Sequence, residues 1–220
     1  MVRGAAFALT MSLGLAATAA RAVIVSYSSD GQFSNLSGCT TLPVIDCAIT
    51  NSGNRVDLSG FNNSELFAVD FANSASFTTS ATLPLASLIW VNNASILTDQ
   101  DFDVVYTLQL TFTAPSADIA GQAFNLQIQQ PTNPAPDRIS GFAIGGLPGT
   151  ISLNGVTVSG FSWAASGGSS SYTNGMWTNP EGNTSRLTLS ARFAVPEPAT
   201  LALLGLGLAS LGLVRRKRSA

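Results

Sequence analysis

The sequence predicts an all-β protein, an antiparallel β-sandwich of jelly-roll-like type. Three observations carry this expectation. Apolar and polar residues alternate along several stretches, no helical period of useful length competes with them, and Asn-Gly, Pro and Gly-rich breaks fall between the alternating runs. Composition agrees. Only 10% of residues are charged, and the middle of the chain is rich in Ser, Thr, Asn and Gly with β-branched and aromatic residues between them. The length of 220 residues fits one domain plus processing segments.

Residues 1–22 read as a secretory signal helix. Arg3 supplies the positive start, and Ala5 to Ala20 forms a small apolar core around Phe7, Leu9, Met11, Leu13 and Leu15. Ala20-Arg21-Ala22 fits a small-x-small cleavage site, which starts the mature chain at Val23; a cut after Ala19 is the alternative. The stretch is short of the ~20 apolar residues of a permanent span. Export through the Sec machinery and removal by signal peptidase are the expected consequences.

Residues 23–194 form the body. In Asp103–Thr113, Tyr106, Leu108, Leu110 and Phe112 share one face, and Thr107, Gln109, Thr111 and Thr113 share the other. Phe124, Leu126 and Ile128 alternate with Asn125, Gln127 and Gln129, and Leu187, Leu189, Ala191 and Phe193 alternate with polar neighbours. One wet face per strand is the pattern of an antiparallel sheet packed on a core. Asn154-Gly155 predicts a hairpin between Thr150–Leu153 and Val156–Ser159, because a type I′ turn needs positive φ at both central residues. Pro131, Pro134 and Pro136 break the chain before a strand at Arg138–Ile144, and Gly167–Ser171 reads as a flexible loop. Further strands are expected at Val23–Tyr27, Leu66–Phe71, Ser74–Thr79 and Leu88–Val91.

Residues 195–220 have three parts in order. Val195-Pro196-Glu197-Pro198 cannot continue a helix or a sheet and stays extended. Ala199–Val214 is an apolar run of Leu, Ala and Gly, which as a transmembrane helix is roughly 24 Å long against a hydrocarbon core of ~30 Å. Arg215, Arg216, Lys217 and Arg218 hold the far end on the cytoplasmic side. This order resembles the PEP-CTERM sorting signal of Gram-negative bacteria, with the motif at Pro196, Glu197 and Pro198. The resemblance implies an inner-membrane-anchored precursor. It also implies recognition by an exosortase, an integral-membrane enzyme with a cysteine nucleophile, and a final place at the cell surface or outside the cell.

The body resembles the choice-of-anchor K domain and its THxN-type relatives, over about Ser59 to Phe193. The stretch Leu85-Ala86-Ser87-Leu88-Ile89-Trp90-Val91-Asn92-Asn93-Ala94-Ser95-Ile96 carries the likeness. So do the Asp103–Thr113 strand, the strand containing Phe142, the segment Thr150–Phe161 and the closing strand Leu187–Phe193. Where relatives have Thr-His before x-Asn, this chain has Ile89-Trp90 before Val91-Asn92. The resemblance implies a β fold and surface display, and no activity.

Charge and residue types narrow the chemistry. Residues 23–195 hold 11 acidic and 4 basic residues, a net −7, which argues against a nucleic-acid partner. The chain has no histidine, which excludes Ser-His and Cys-His catalysis and ordinary His-ligated zinc. Its single lysine lies in the tail, so the body has no Ser–Lys or Schiff-base chemistry. Cys39 and Cys47 are the only cysteines, and an oxidising compartment predicts a disulfide between them. Asp99, Asp101 and Asp103 alternate and offer oxygen ligands to Ca²⁺, although Val104 and Leu110 stand where an EF-hand needs Gly and Glu. No other cofactor is expected. Glu65 and Glu181 are the glutamates of the body available for glycoside hydrolysis, and Trp90, Trp163 and Trp177 with Tyr172 for a sugar-stacking platform, although a core role is the expectation for at least Trp90 and Trp163. The expectation is an exported, non-catalytic surface or matrix protein associated with exopolysaccharide or biofilm. The alternative is a carbohydrate-binding or carbohydrate-processing sandwich.

Overall fold

A computed structural model of the chain describes residues 22–38, 47–58, 63–93, 100–131 and 135–195, together with residues 205 and 208. The expected signal helix and the expected transmembrane helix lie outside the described residues, except that 205 and 208 are both helical. Among the described residues, no helix is long and apolar enough to cross a membrane.

The body consists of two antiparallel sheets. One runs, in spatial order, β12 (Ser171–Thr173), β13 (Met176–Asn179), β9 (Asp137–Ser140), β8 (Asp118–Gln130), β7 (Gln100–Ala114), β1 (Val23–Ser37) and β5 (Ala72–Phe77). The other runs β10 (Thr150–Leu153), β11 (Val156–Ser166), β14 (Asn183–Ala194), β6 (Ala81–Asn92), β4 (Ser64–Val69), β3 (Arg55–Leu58) and β2 (Cys47–Thr50). The all-β expectation holds.

The longest hairpin shows why. β7 and β8 pair without a register shift from Gln100↔Gln130 to Phe112↔Asp118. Phe102, Val104, Tyr106, Leu108, Leu110 and Phe112 are buried on one side, while Asp101, Asp103, Thr107, Gln109 and Thr113 are exposed on the other. A one-residue slip would turn every one of these apolar side chains to water, so burial fixes the register.

The two inner faces meet through aromatic rings. Tyr27 of β1 stacks on Phe193 of β14 at 5.8 Å, Phe124 of β8 meets Trp163 of β11 edge-on at 5.8 Å, and Trp177 of β13 meets Trp90 of β6 edge-on at 5.4 Å. Tyr27 also donates from its hydroxyl to the Pro84 carbonyl across the layer, 2.6 Å away. Each such ring pair adds about 0.5–1.5 kcal/mol beyond the area it buries.

The structure corrects several element boundaries. β1 extends to Ser37 rather than stopping near Tyr27. Its inward positions beyond Tyr27 are the small Ser29 and Gly31, which conceal the apolar period, and pairing with β7 carries the strand on. Gly31 is small for a reason: a Cβ there would fall 2.6 Å from the Tyr106 hydroxyl. The strand expected over Arg138–Ile144 ends at Ser140, although Phe142 stays buried and donates from its amide to the Gly175 carbonyl at 3.1 Å. The Gly167–Ser171 stretch is a tight turn rather than a flexible loop. Ser170 Oγ bonds the Gly167 carbonyl at 2.6 Å, and Ser171 already belongs to β12.

Both Asn-Gly pairs make hairpins. Asn154 and Gly155 have φ of 27° and 90° between β10 and β11, as expected. Asn174 and Gly175, at 51° and 79°, join β12 to β13 by the same chemistry.

Candidate functional site

β14 ends at Ala194, held by pairing with Thr157 of β11, and Val195 packs against the core. The last described residue of the body therefore directly precedes Pro196. Pro196, Glu197 and Pro198, and the basic cluster Arg215, Arg216, Lys217 and Arg218, lie outside the described residues.

One end of the sandwich departs from the apolar rule. On six strands the residue one inward step beyond the last large apolar side chain is polar and buried. These are Ser64 before Leu66, Asn92 after Trp90, Gln130 after Ile128, Asp137 before Ile139, Asn179 after Trp177 and Ser185 before Leu187. The registers place them together: Asp137 faces Asn179, and Ser185 faces Trp90. Asn92 Nδ2 donates to the Asn179 carbonyl at 2.6 Å, and Asn179 Nδ2 donates to the carbonyls of Trp90 and Asn183, each at 3.2 Å.

Asp137 is the charged member of this layer and is only 1% exposed. Burial pushes its carboxyl up to about 6, the Asn92 amide beside it pulls it back in part, and repulsion from Glu181 raises it again. Neither carboxylate oxygen has a partner of hydrogen-bonding geometry. Sequence reasoning passed over these residues. Their legible signal is phase: each occupies an inward position of its strand, where an apolar residue is expected.

The outer faces carry the other charged groups. Arg55 of β3 pairs with Asp57 and, at 2.6 Å, with Glu65, beside a pocket of about 270 Å³. Glu65 is thus engaged by a cation, and Glu181 sits on the turn between β13 and β14. On the opposite sheet, Asp101 and Asp103 lie exposed on the outer face of β7, and Asp99 lies outside the described residues. Gln129 reaches Asp101 at 3.4 Å and accepts from Arg138 at 2.6 Å, which brings positive charge toward the Asp101 carboxylate. Among the described residues, no three acidic, histidine or cysteine side chains group as a metal cluster.

Of the two roles open to the tryptophans, the structure gives the core role expected of Trp90 and Trp163 and extends it to Trp177, which leaves no stacking platform on these three rings. Trp90 and Trp177 have no exposed area and Trp163 is 5% exposed, so all three belong to the core. Tyr172 is half-buried and donates from its hydroxyl to the Phe142 carbonyl at 3.3 Å. Cys47 opens β2 and is not a free thiol, while Cys39 lies outside the described residues.

The folded body ends directly before a proline-flanked glutamate in the sequence. Comparison with protein families makes that segment particular: the model of the PEP-CTERM protein-sorting motif matches residues 194–218. That motif implies exosortase-dependent C-terminal sorting of an exported protein. The match begins on the last residue of β14, so the sorting signal follows the folded body without a linker. No curated protein and no solved structure matches the chain.

Proposed function

We propose that the chain is a non-catalytic protein of the Gram-negative cell surface or extracellular matrix. It is delivered there by its sorting tail and associates with exopolysaccharide in biofilm. The observation that carries this reading is the sorting motif at residues 194–218, joined to an acidic body without histidine or lysine. Residues 1–22 direct export and are removed by signal peptidase. Ala199–Val214 then holds the precursor in the inner membrane, Arg215–Arg218 keeps its end cytoplasmic, and exosortase acts at Pro196–Pro198.

The body is proposed as a relative of the choice-of-anchor K domain, with Cys39 and Cys47 bridged. A carbohydrate-binding role by stacking on tryptophan loses its support, because the rings are buried. Polar outer faces, such as Thr107, Gln109, Asn125 and Gln127 on β7 and β8, leave hydrogen bonding as the route to a polysaccharide.

Fractionation of cells tests the delivery. The native chain is expected outside the inner membrane, and a variant with Pro196, Glu197 and Pro198 all changed to Ala is expected to accumulate in it. Equal distribution of the two would remove the sorting role of the motif.

A further inference from the structure

The polar end of the sandwich holds more unpaired oxygen than a folded domain tolerates. Both oxygens of Asp137, Oδ1 of Asn92, Oδ1 of Asn179, both amide atoms of Gln130 and Oγ of Ser185 are buried without a partner. The indole N–H groups of Trp90 and Trp177 beside them are unpaired as well. A buried polar atom left without a partner costs more than a typical hydrogen bond contributes, and a whole domain is only marginally stable. Asn92, Asn179 and Asp137 converge here across the two sheets, so this end offers buried oxygens to a further group, water or ion.

The inventory of atoms says what kind of group. Asn179 spends both N–H bonds on the carbonyls of Trp90 and Asn183, and Asn92 spends one on the Asn179 carbonyl with the rest of its amide beside the Asp137 carboxyl, which fixes both side chains and leaves each Oδ1 as the free atom. Acceptors therefore outnumber donors. Water can bridge oxygens but does not balance a buried carboxylate, and buried charges are paired or bound to metal. Among the described residues no arginine supplies the pairing: Arg138, next in sequence, lies exposed on the outer face and donates to Gln129, and Arg186 donates to Ser87. Glu181 lies near enough to repel Asp137, which makes the end more negative still.

We propose that this layer is a cation site that takes Ca²⁺. The Asp137 carboxylate supplies the charge, and the side-chain oxygens of Asn92, Asn179 and Gln130 supply neutral ligands. An all-oxygen set suits a hard cation. Amide carbonyls with one bidentate carboxylate suit the larger, irregular sphere of Ca²⁺ better than the strict octahedron of Mg²⁺. One carboxylate ligand places the affinity in the range of about 10⁻⁴–10⁻³ M typical of extracellular modules. By joining β6 to β8, β9 and β13, the ion ties the two sheets together at this end.

The test is thermal melting of the full chain in detergent, stripped with EDTA and titrated with CaCl₂ to about 10 mM. A saturable rise in Tm of about 3–6 °C is expected once Ca²⁺ exceeds its Kd about tenfold. The rise should vanish in D137N, and persist in D101N/D103N, whose carboxylates lie on the outer face. Absence of a shift in the native chain, an equal shift with NaCl at matched ionic strength, or a shift that survives in D137N would each overturn the site. Should D137N not fold, Tb³⁺ added to the native chain decides the matter. Emission sensitised by Trp90 and Trp177 and displaced by Ca²⁺ supports the site, and no sensitised emission contradicts it.

Discussion

Trp177 illustrates how much depends on single side chains. It has no exposed surface, meets Trp90 edge-on at 5.4 Å and lies 6.2 Å from Phe142, at the point where β13 faces the opposite sheet. Truncation leaves a cavity that flanking strands cannot close, so Trp177→Ala is expected to destabilise the body by about 3–5 kcal/mol in urea unfolding. A change below 1 kcal/mol would place the ring on the surface after all. The composition of the chain did not distinguish these alternatives, because a tryptophan between polar residues fits a stacking surface as well as a core. Its phase does: Trp177 and Asn179 share one side of β13, and both are buried. Asn92, Gln130 and Asp137 were hidden in the same way. Alternation marks their direction, but only pairing between strands distant in sequence shows that they converge.

At the scale of elements, the strands that were legible are those whose inward residues are large. β7, β8 and β14 were visible from Tyr106 to Phe112, Phe124 to Ile128 and Leu187 to Phe193, and all are where alternation places them. β2, β3, β12 and β13, of three or four residues each, are too short for a period to show, and the sheet rather than local propensity creates them. The Asn154-Gly155 hairpin was legible because its turn chemistry is local.

The chain's two cysteines are Cys39, between β1 and β2 in sequence, and Cys47, the first residue of β2. A bridge here closes a short loop and contributes about 2.5 kcal/mol by the chain-entropy model. Thiol titration of unreduced, denatured protein is expected to find no free thiol. Two titratable thiols would remove the bridge.

At the scale of the whole molecule, body and tail divide the work. The body is a two-sheet sandwich with an acidic balance and polar outer faces. The tail was the most legible part of the chain, because prolines around a glutamate, an apolar run and a basic cluster in that order stand out in sequence without tertiary structure, and the sorting-motif match at residues 194–218 bears out that reading. The task of the body was least legible, since its strands alternate for packing and carry no compact motif of chemistry. β14 ties the two together: it is an inner strand of its sheet, and the sorting motif starts at its last residue. Mass spectrometry of the protein isolated from the surface or medium of its native host tests the sorting account most directly. The account predicts a chain that begins near Val23 and lacks the apolar run Ala199–Val214 with its basic cluster, and a mature surface form intact to Ala220 would contradict it.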